Sequence, residues 1–292
     1  MKFIAFKYRN EPDSDGYRVG ELLSASELLD LTPLISSTNL GPTEILKCFD
    51  LDGETFRRLN SRCTPIAAVD RELVEIASPV PRPGKIICIG LNYRDHAEES
   101  GMQIPASPII FSKFSTSVIG PGQAIVLPGG SKKVDYEAEL AFVIGRRAKK
   151  VRREDAMACI FGYTNFNDVS ARDMQFADGQ WQRGKSCDTF APMGEFVATA
   201  DEVKDPHDLG IRFRRNGETL QDSRTSQLIF GIPELIEFLS ASITLEPGDI
   251  VATGTPPGVG FARKPPIFLQ PGDICEVEID GLGVLSNPVA DA

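Results

Sequence analysis

The sequence predicts an α+β fold dominated by sheet. Three observations carry this. Apolar runs are short and bounded by Gly, Pro, Asn and Asp, the punctuation of strands. Stretches with helical periodicity are few. Strands and helices do not alternate in the way that announces a doubly wound parallel sheet. At 292 residues the chain can bury a sizeable core and has room for one large domain with a smaller companion. A hydrophobic share of 41% and a charged share of 25% are those of a globular protein and exclude a disordered or fibrous chain.

From the N-terminus, Lys2 to Tyr8 and Tyr17 to Leu23 read as strands, and Pro42 to Phe49 and Gly53 to Asn60 as helical patches. The first 78 residues carry no chemical motif. Ser78-Pro-Val-Pro-Arg-Pro-Gly-Lys85 follows, where three prolines and a glycine favour an extended connector. The expected division is therefore a small N-terminal domain over 1–78, a Pro-rich linker over 79–84 and the main domain over 85–292. Strands are expected at Ile86 to Gly90, Ile109 to Lys113, Val134 to Ile144, Ile211 to Arg215, Ile250 to Thr253 and Cys275 to Ile279. Asn216-Gly217 and Asp280-Gly281 are two-residue hairpin signals. Helices are expected at Tyr93 to Ser100, Glu154 to Cys159, Ala171 to Ala177 and Pro233 to Ala241. Pro247-Gly-Asp-Ile250 recurs as Pro271-Gly-Asp-Ile274, which reads as shared type II turn chemistry and not as a repeat.

A formal charge of −10, from 41 acidic against 31 basic side chains, disfavours nucleic acid and anionic membrane as partners. A small anionic substrate stays open, because a local cluster of cations can reverse the field inside one cleft. The apolar run at the start is too short for a signal peptide and no stretch approaches a membrane span, so a cytoplasmic protein is expected. Six cysteines without a C-x-x-C pair read as reduced thiols, of which Cys187 alone sits inside a polar motif.

In Val134-Asp-Tyr-Glu-Ala-Glu-Leu-Ala-Phe-Val-Ile144, strand alternation puts Asp135, Glu137 and Glu139 on one face. Taken alone, the pattern also fits a solvated acidic edge. Further on, a polar and aromatic run leads into Asp168, with Ser170 and Asp173 spaced as a capping pair that opens a short helix. Two glutamates and an aspartate form an all-oxygen set suited to Mg²⁺ or Mn²⁺. Relief of repulsion among them is expected to leave a Glu137→Gln protein no less stable.

Five blocks stand in order from about Lys85: Gly90-x-Asn-Tyr-x-x-His-x-x-Glu99, Asp135-Tyr-Glu-Ala-Glu-Leu140, Asp168-x-Ser-Ala-Arg-Asp-x-Gln175, Gly184-Lys-Ser-x-Asp-Thr-Phe-x-Pro-x-Gly194 and Thr253-Gly-Thr-Pro-x-Gly-Val-Gly260. Together they resemble the signatures of the fumarylacetoacetate hydrolase superfamily, in particular a bacterial-type acylpyruvate or 2,4-dioxo acid hydrolase-like member. The resemblance implies a mixed β-roll catalytic domain with a small N-terminal accessory domain, and a homodimer. It implies Glu137, Glu139 and Asp168 as ligands of one divalent cation per subunit, with Asp135 outside the pair. Lys185 matches the family lysine that points at substrate, and His96 with Glu99 the dyad in which Glu orients His to activate water. Without the motif, the same dyad reads as a surface pair. Lys113, Arg172, Gln175 and Thr255 match substrate-contacting positions, although Arg172 and Gln175 also fit as braces of a short helix and Lys113 as a solvated strand end.

The implied activity is hydrolysis of a C–C bond in a small 2,4-dioxo acid of the acylpyruvate, fumarylpyruvate or 2,4-diketo-3-deoxy sugar acid type, the cation acting as Lewis acid toward the enolate. The alternatives are oxaloacetate decarboxylation or tautomerisation, and isomerisation of 2-hydroxyhepta-2,4-diene-1,7-dioate. A non-catalytic metal-binding protein fits the intact set of ligands, lysine and dyad less well.

Overall fold

The strand Ala138–Ile144 is buried along its whole length, as an apolar strand covered on both faces must be. It pairs antiparallel with Ile160–Asn167 on one side and Ile250–Ala252 on the other. The computed structural model describes residues 1–11, 16–35, 40–41, 43–50, 67–99, 101, 103–177 and 179–292. Among these, the strand belongs to an 11-stranded mixed sheet. From edge to edge the sheet runs Ala68–Asp70, Glu27–Asp30, Arg18–Leu22, Lys2–Tyr8, Val197–Thr199, Ile160–Asn167, Ala138–Ile144, Ile250–Ala252, Ile86–Gly90 and Ile109–Lys113, and Val74–Ala77 also pairs with Lys2–Tyr8. Ile250–Ala252 and Ile86–Gly90 are parallel neighbours.

A second sheet of five strands, Glu218–Arg224, Gly210–Arg215, Ile274–Ile279, Gly283–Asp291 and Ile125–Leu127, lies against one face. Leu140, Phe142 and Ile144 share a core with its Phe213, Val277 and Leu285. Tyr136 stacks flat on Phe213 with ring centroids 4.0 Å apart, which fixes one sheet over the other at the entrance to the acidic strand. On the other face, Ala141 and Val143 pack with Phe3, Phe49 and Phe161, which meet edge to face or tilted. The helix Ile232–Ser242 starts with proline in its first turn and buries Ile232, Leu235, Ile236 and Leu239 at helical spacing.

Strand pairing continues across residues 79–84. Lys2–Tyr8 joins Val197–Thr199, the Met1 ammonium donates to Thr199 Oγ1 at 2.6 Å, and Val80 inside the Pro-rich segment is buried. The Gly53 to Asn60 patch and Cys63 lie outside the described residues, and the Pro42 to Phe49 patch is a 3-10 helix at Ile45–Asp50. The remaining five cysteines are free thiols. Among the described residues no helix is long and apolar enough to cross a membrane.

The turns follow their residues. Asn216 and Gly217 both adopt positive φ between the paired Arg215 and Glu218, a two-residue hairpin. At Asp280-Gly281 the loop is one residue longer than the expected two, because Ile279 pairs with Gly283 and Leu282 donates back to Ile279 O. Both Pro-Gly-Asp segments close the same turn. Asp249 and Asp273 donate N–H groups to Glu246 and Gln270, and glycine at positive φ fills the third position.

Phe142 lies at the centre of this construction and is fully buried. Phe142→Ala should lose about 3–5 kcal/mol of stability in urea unfolding. A loss under about 1 kcal/mol would contradict the central placement of this strand.

Candidate metal centre

The acidic stretch expected as one strand is two. Val134–Asp135 pairs with Ser170–Ala171 in a separate small sheet, and Ala138–Ile144 enters the main sheet. Side-chain groups stand in for ladder partners at the break at Tyr136-Glu137: Glu137 N–H donates to Asn167 Oδ1 at 3.1 Å and Ala138 N–H to Gln221 Oε1 at 2.9 Å, while Asp168 N–H continues the ladder to Glu137 O at 2.9 Å. These bonds bring Asp168, just beyond the end of Ile160–Asn167, beside the two glutamates. Glu137, Glu139 and Asp168 are all buried, and one carboxylate oxygen from each lies within 4.8 Å of the others.

Three buried cations thread this cluster. Lys185 Nζ lies 2.8 Å from Glu137 Oε2 and 2.7 Å from Asp168 Oδ2, and 4.8 Å from the Phe111 ring centroid. Lys113 Nζ lies 2.5 Å from Asp168 Oδ1 and donates to Val169 O. Arg172 forks between Asp135 Oδ2 at 2.8 Å and Glu137 Oε1 at 2.5 Å, and donates to Gln175 Oε1 at 3.0 Å. The solvated readings of the acidic face and of Lys113 are thereby corrected. Asp135 is fully buried, accepting N–H groups from Gly260 at 2.7 Å and Phe261 at 3.0 Å besides the Arg172 fork. The capping pair is not formed either. Ser170 turns its hydroxyl to Asp168 O, and Asp173 accepts from Ser131 and Lys132.

Burial alone would raise the Glu137 carboxyl, but Lys185 and Arg172 outweigh it and hold the group down at about 2. Glu139 differs. Burial first, then Asp168 and Glu137, push its carboxyl well up, and its oxygen accepts one N–H, from Gly254 at 2.9 Å. Lys185 stays an ammonium because Asp168 and Glu137 overcome the penalty of its burial. The cluster is thus short of positive charge on the Glu139 side, and its donors are hard oxygens. That chemistry fits a Mg²⁺- or Mn²⁺-type cation.

Two glycines make the approach of these groups possible. Gly254 sits at φ +103°, which side chains rarely tolerate, and a Cβ there would lie 2.8 Å from Asn92 Cβ. A Cβ on Gly184 would lie 2.4 Å from Gln175 N, so only glycine lets the turn bearing Lys185 close on the helix Arg172–Ala177. Thr255 donates its hydroxyl to Ala138 O at 3.0 Å and accepts from Gln221 Nε2 at 2.9 Å. His96 and Glu99 face each other in the helix Arg94–Glu99, Nδ1 to Oε2 at 3.4 Å, with His96 half-buried and Glu99 exposed, outside the carboxylate cluster. Glu99 reaches the centre through the Gly254–Gly258 loop, accepting the Gly258 N–H at 3.1 Å.

The structure thus brings Lys113, Glu137, Glu139, Asp168, Arg172, Gln175 and Lys185 into one buried network. Thr255 stands beside it, and His96 and Glu99 at a loop's remove. Burial pushes the thiol of the half-buried Cys187 up, and the Lys113 charge opposes this only in part. Sequence reasoning passed over Gln221 and Asn92. Asn92 stands in the motif with Tyr93, where its amide clamps Thr253 O and Phe230 O, whereas Gln221 lies in no motif at all.

The family model for the fumarylacetoacetate (FAA) hydrolase C-terminal region matches residues 85–290. The chain is 44% identical over 292 residues to the mitochondrial oxaloacetate tautomerase of Xenopus laevis, covering 99% of this chain and 90% of that protein. It superposes on the fumarylacetoacetate hydrolase of Exiguobacterium antarcticum with a TM-score of 0.84 at 33% identity, covering 100% of each chain. A maleylpyruvate hydrolase from Sphingobium sp. SYK-6, solved with manganese(II) and pyruvate, superposes with a TM-score of 0.82 at 31% identity, again over 100% of each chain.

The charge pairing moves the expected relief of repulsion from Glu137 to Glu139. Glu137→Gln leaves Lys185 and Arg172 undercompensated and should cost the metal-free protein roughly 3 kcal/mol. Glu139→Gln should leave its melting temperature unchanged or higher, and both variants should bind Mn²⁺ more weakly in calorimetric titration. A Glu139→Gln protein less stable than Glu137→Gln would contradict this distribution of charge.

Proposed function

Because this chain belongs to the fumarylacetoacetate hydrolase family, we propose that it is a divalent-metal-dependent enzyme that interconverts the keto and enol forms of a small 2-oxo diacid of the oxaloacetate class. The observation that carries this reading is the buried triad Glu137, Glu139 and Asp168 with the Lys185 ammonium against two of its carboxylates. Likeness over 99% of the chain to an oxaloacetate tautomerase supports proton transfer as the reaction.

Mg²⁺ or Mn²⁺, one per chain, would be held by Glu137, Glu139 and Asp168 and, when bound, supplies Lewis-acid stabilisation of charge on the 2-oxo oxygen. Lys185, an ammonium held against Asp168 and Glu137, offers charge to the developing enolate. The proton at C3 falls to His96, whose Nδ1 faces Glu99 and whose Nε2 is the ring atom left for transfer. Arg172 and Lys113 spend their hydrogen bonds on Asp135, Glu137 and Asp168, so in this arrangement they hold carboxylates in place. Gln175 steadies Arg172. Thr255 keeps one lone pair for an incoming donor. Its hydroxyl proton is already given to Ala138 O.

A second reading, cleavage of a C–C bond in an acylpyruvate-type 2,4-dioxo acid, is favoured by the His96–Glu99 contact, the arrangement that activates water. The two separate experimentally. With Mg²⁺ or Mn²⁺ the protein should speed the decay of enol-oxaloacetate absorbance, chelation should remove the acceleration, and His96→Asn should lower kcat/KM by roughly 10²- to 10⁴-fold. Acylpyruvate cleavage faster than enol conversion under the same conditions would reject the tautomerase reading in favour of the hydrolase.

We further propose a homodimer, from the family resemblance. Light scattering at micromolar concentration should give twice the monomer mass, and a monomer mass would reject it.

A further inference from the structure

Resting on the metal-dependent reading above, we infer that Gln221 is a positioning residue that sets the two glutamate ligands and ties them to the loop behind Glu99. The ladder between Ala138–Ile144 and Ile250–Ala252 ends at Thr253, whose N–H donates to Leu140 O, because Gly254 then turns the chain away at φ +103°. Ala138, the residue between Glu137 and Glu139, is left with buried N–H and C=O groups that no neighbouring backbone satisfies on that side. Buried backbone groups of this kind must find partners.

Side chains complete the ladder here. Gln221 Oε1 accepts the Ala138 N–H at 2.9 Å, and the Thr255 hydroxyl donates to Ala138 O at 3.0 Å. Gln221 Nε2 donates to Thr255 Oγ1 at 2.9 Å and to Pro256 O at 2.8 Å. The three groups form a closed ring of hydrogen bonds around the residue that separates two ligands. The ring and the bond to Pro256 O together need one acceptor and two donors on a single uncharged side chain, which is the inventory of a primary amide. Asparagine is one methylene too short, and glutamate lacks the donors.

The fold aims this amide deliberately. In the hairpin of Gly210–Arg215 with Glu218–Arg224, Phe213 pairs with Gln221 but Arg214 with Thr219, so Leu220 is an extra residue. This bulge breaks alternation and buries Leu220 and Gln221 side by side, at 4% and 1% exposure. Bulges next to functional sites re-aim a side chain in this manner. The carbonyl freed at Leu220 accepts from Arg263, which also holds Gly258 O. A Cβ on Gly258 would lie 2.1 Å from Leu220 O, so the loop is seated directly on the bulge. Gly258 N–H in turn holds Glu99. The bulge therefore connects the strand bearing Glu137 and Glu139 with the loop that orients the dyad, without Gln221 touching substrate.

The test uses Gln221→Met in the full chain, similar in length but without the amide. The control is Thr225→Val, which removes a buried hydroxyl from the adjacent segment where it accepts the Leu209 N–H. Mn²⁺ affinity by calorimetry, kcat and KM at saturating Mn²⁺, and metal-free melting are compared. Gln221→Met should weaken Mn²⁺ binding by roughly tenfold or more, as losses of ligand-orienting contacts do, and lower kcat more than it raises KM. Thr225→Val should keep native Mn²⁺ affinity whatever its melting loss. Affinity of Gln221→Met within about twofold of native, or an equal loss in Thr225→Val, overturns the inference. If Gln221→Met does not fold, Gln221→Glu keeps the length and the acceptor and must show the same weakened Mn²⁺ binding, native affinity there overturning it equally. A native protein that binds no Mn²⁺ overturns the metal reading and the inference with it, whereas native binding unaffected by Gln221→Met overturns the inference alone.

Discussion

The structure turns on a buried chain of alternating charge. Lys113, Asp168, Lys185, Glu137, Arg172 and Asp135 touch in that order, each ion held by one of opposite sign. Moving so many charges out of water is tolerable only if each finds compensation close by. The remaining carboxylate, Glu139, takes part in no ion pair among the described residues and accepts only an N–H of Gly254. The cluster is complete except for positive charge at one place, and three carboxylates converge on that place. The broken acidic strand, the glycines at 184 and 254 and the sheet-to-sheet stacking of Tyr136 all serve to keep these buried groups near one another.

Much of this was legible in the sequence. Strand limits at Lys2–Tyr8, Ile86–Gly90 and Ile109–Lys113 match, since short apolar runs between breakers leave little choice of boundary. Alternation puts Asp135, Glu137 and Glu139 on one face and a polar run ends on Asp168, but it is the resemblance that singled out Glu137, Glu139 and Asp168. What alternation could not show is that the strand stops at Tyr136-Glu137. That break depends on Asn167 and Gln221, residues distant in sequence that replace the ladder partners. The resemblance named Arg172 and Lys113 from their motifs, but their partners depend on tertiary approach and were not readable. Gln221 was invisible for a related reason. Its inward direction comes from a bulge, and a bulge has no signature in Glu-Thr-Leu-Gln-Asp-Ser that sets it apart from an ordinary strand.

The N-terminal strands extend the sheet that carries the centre. Lys2–Tyr8 reaches the strand bearing Glu139 through Val197–Thr199 and Ile160–Asn167, so its packing supports the same layer from which Asp168 emerges. Phe3 and Phe161 share a core with Ala141 and Val143, two and four residues beyond Glu139. The early part of the chain thus contributes to the rigidity of the site without contributing a motif to it.

Diffraction from crystals grown with Mn²⁺, using the anomalous signal of the ion, addresses the central claim most directly. The account predicts one strong peak per chain, within coordination distance of Glu137, Glu139 and Asp168 together, with Lys185 still adjacent. A peak held by other side chains, or a centre that stays without Mn²⁺ while Lys185 bridges Glu137 and Asp168 as before, would contradict it.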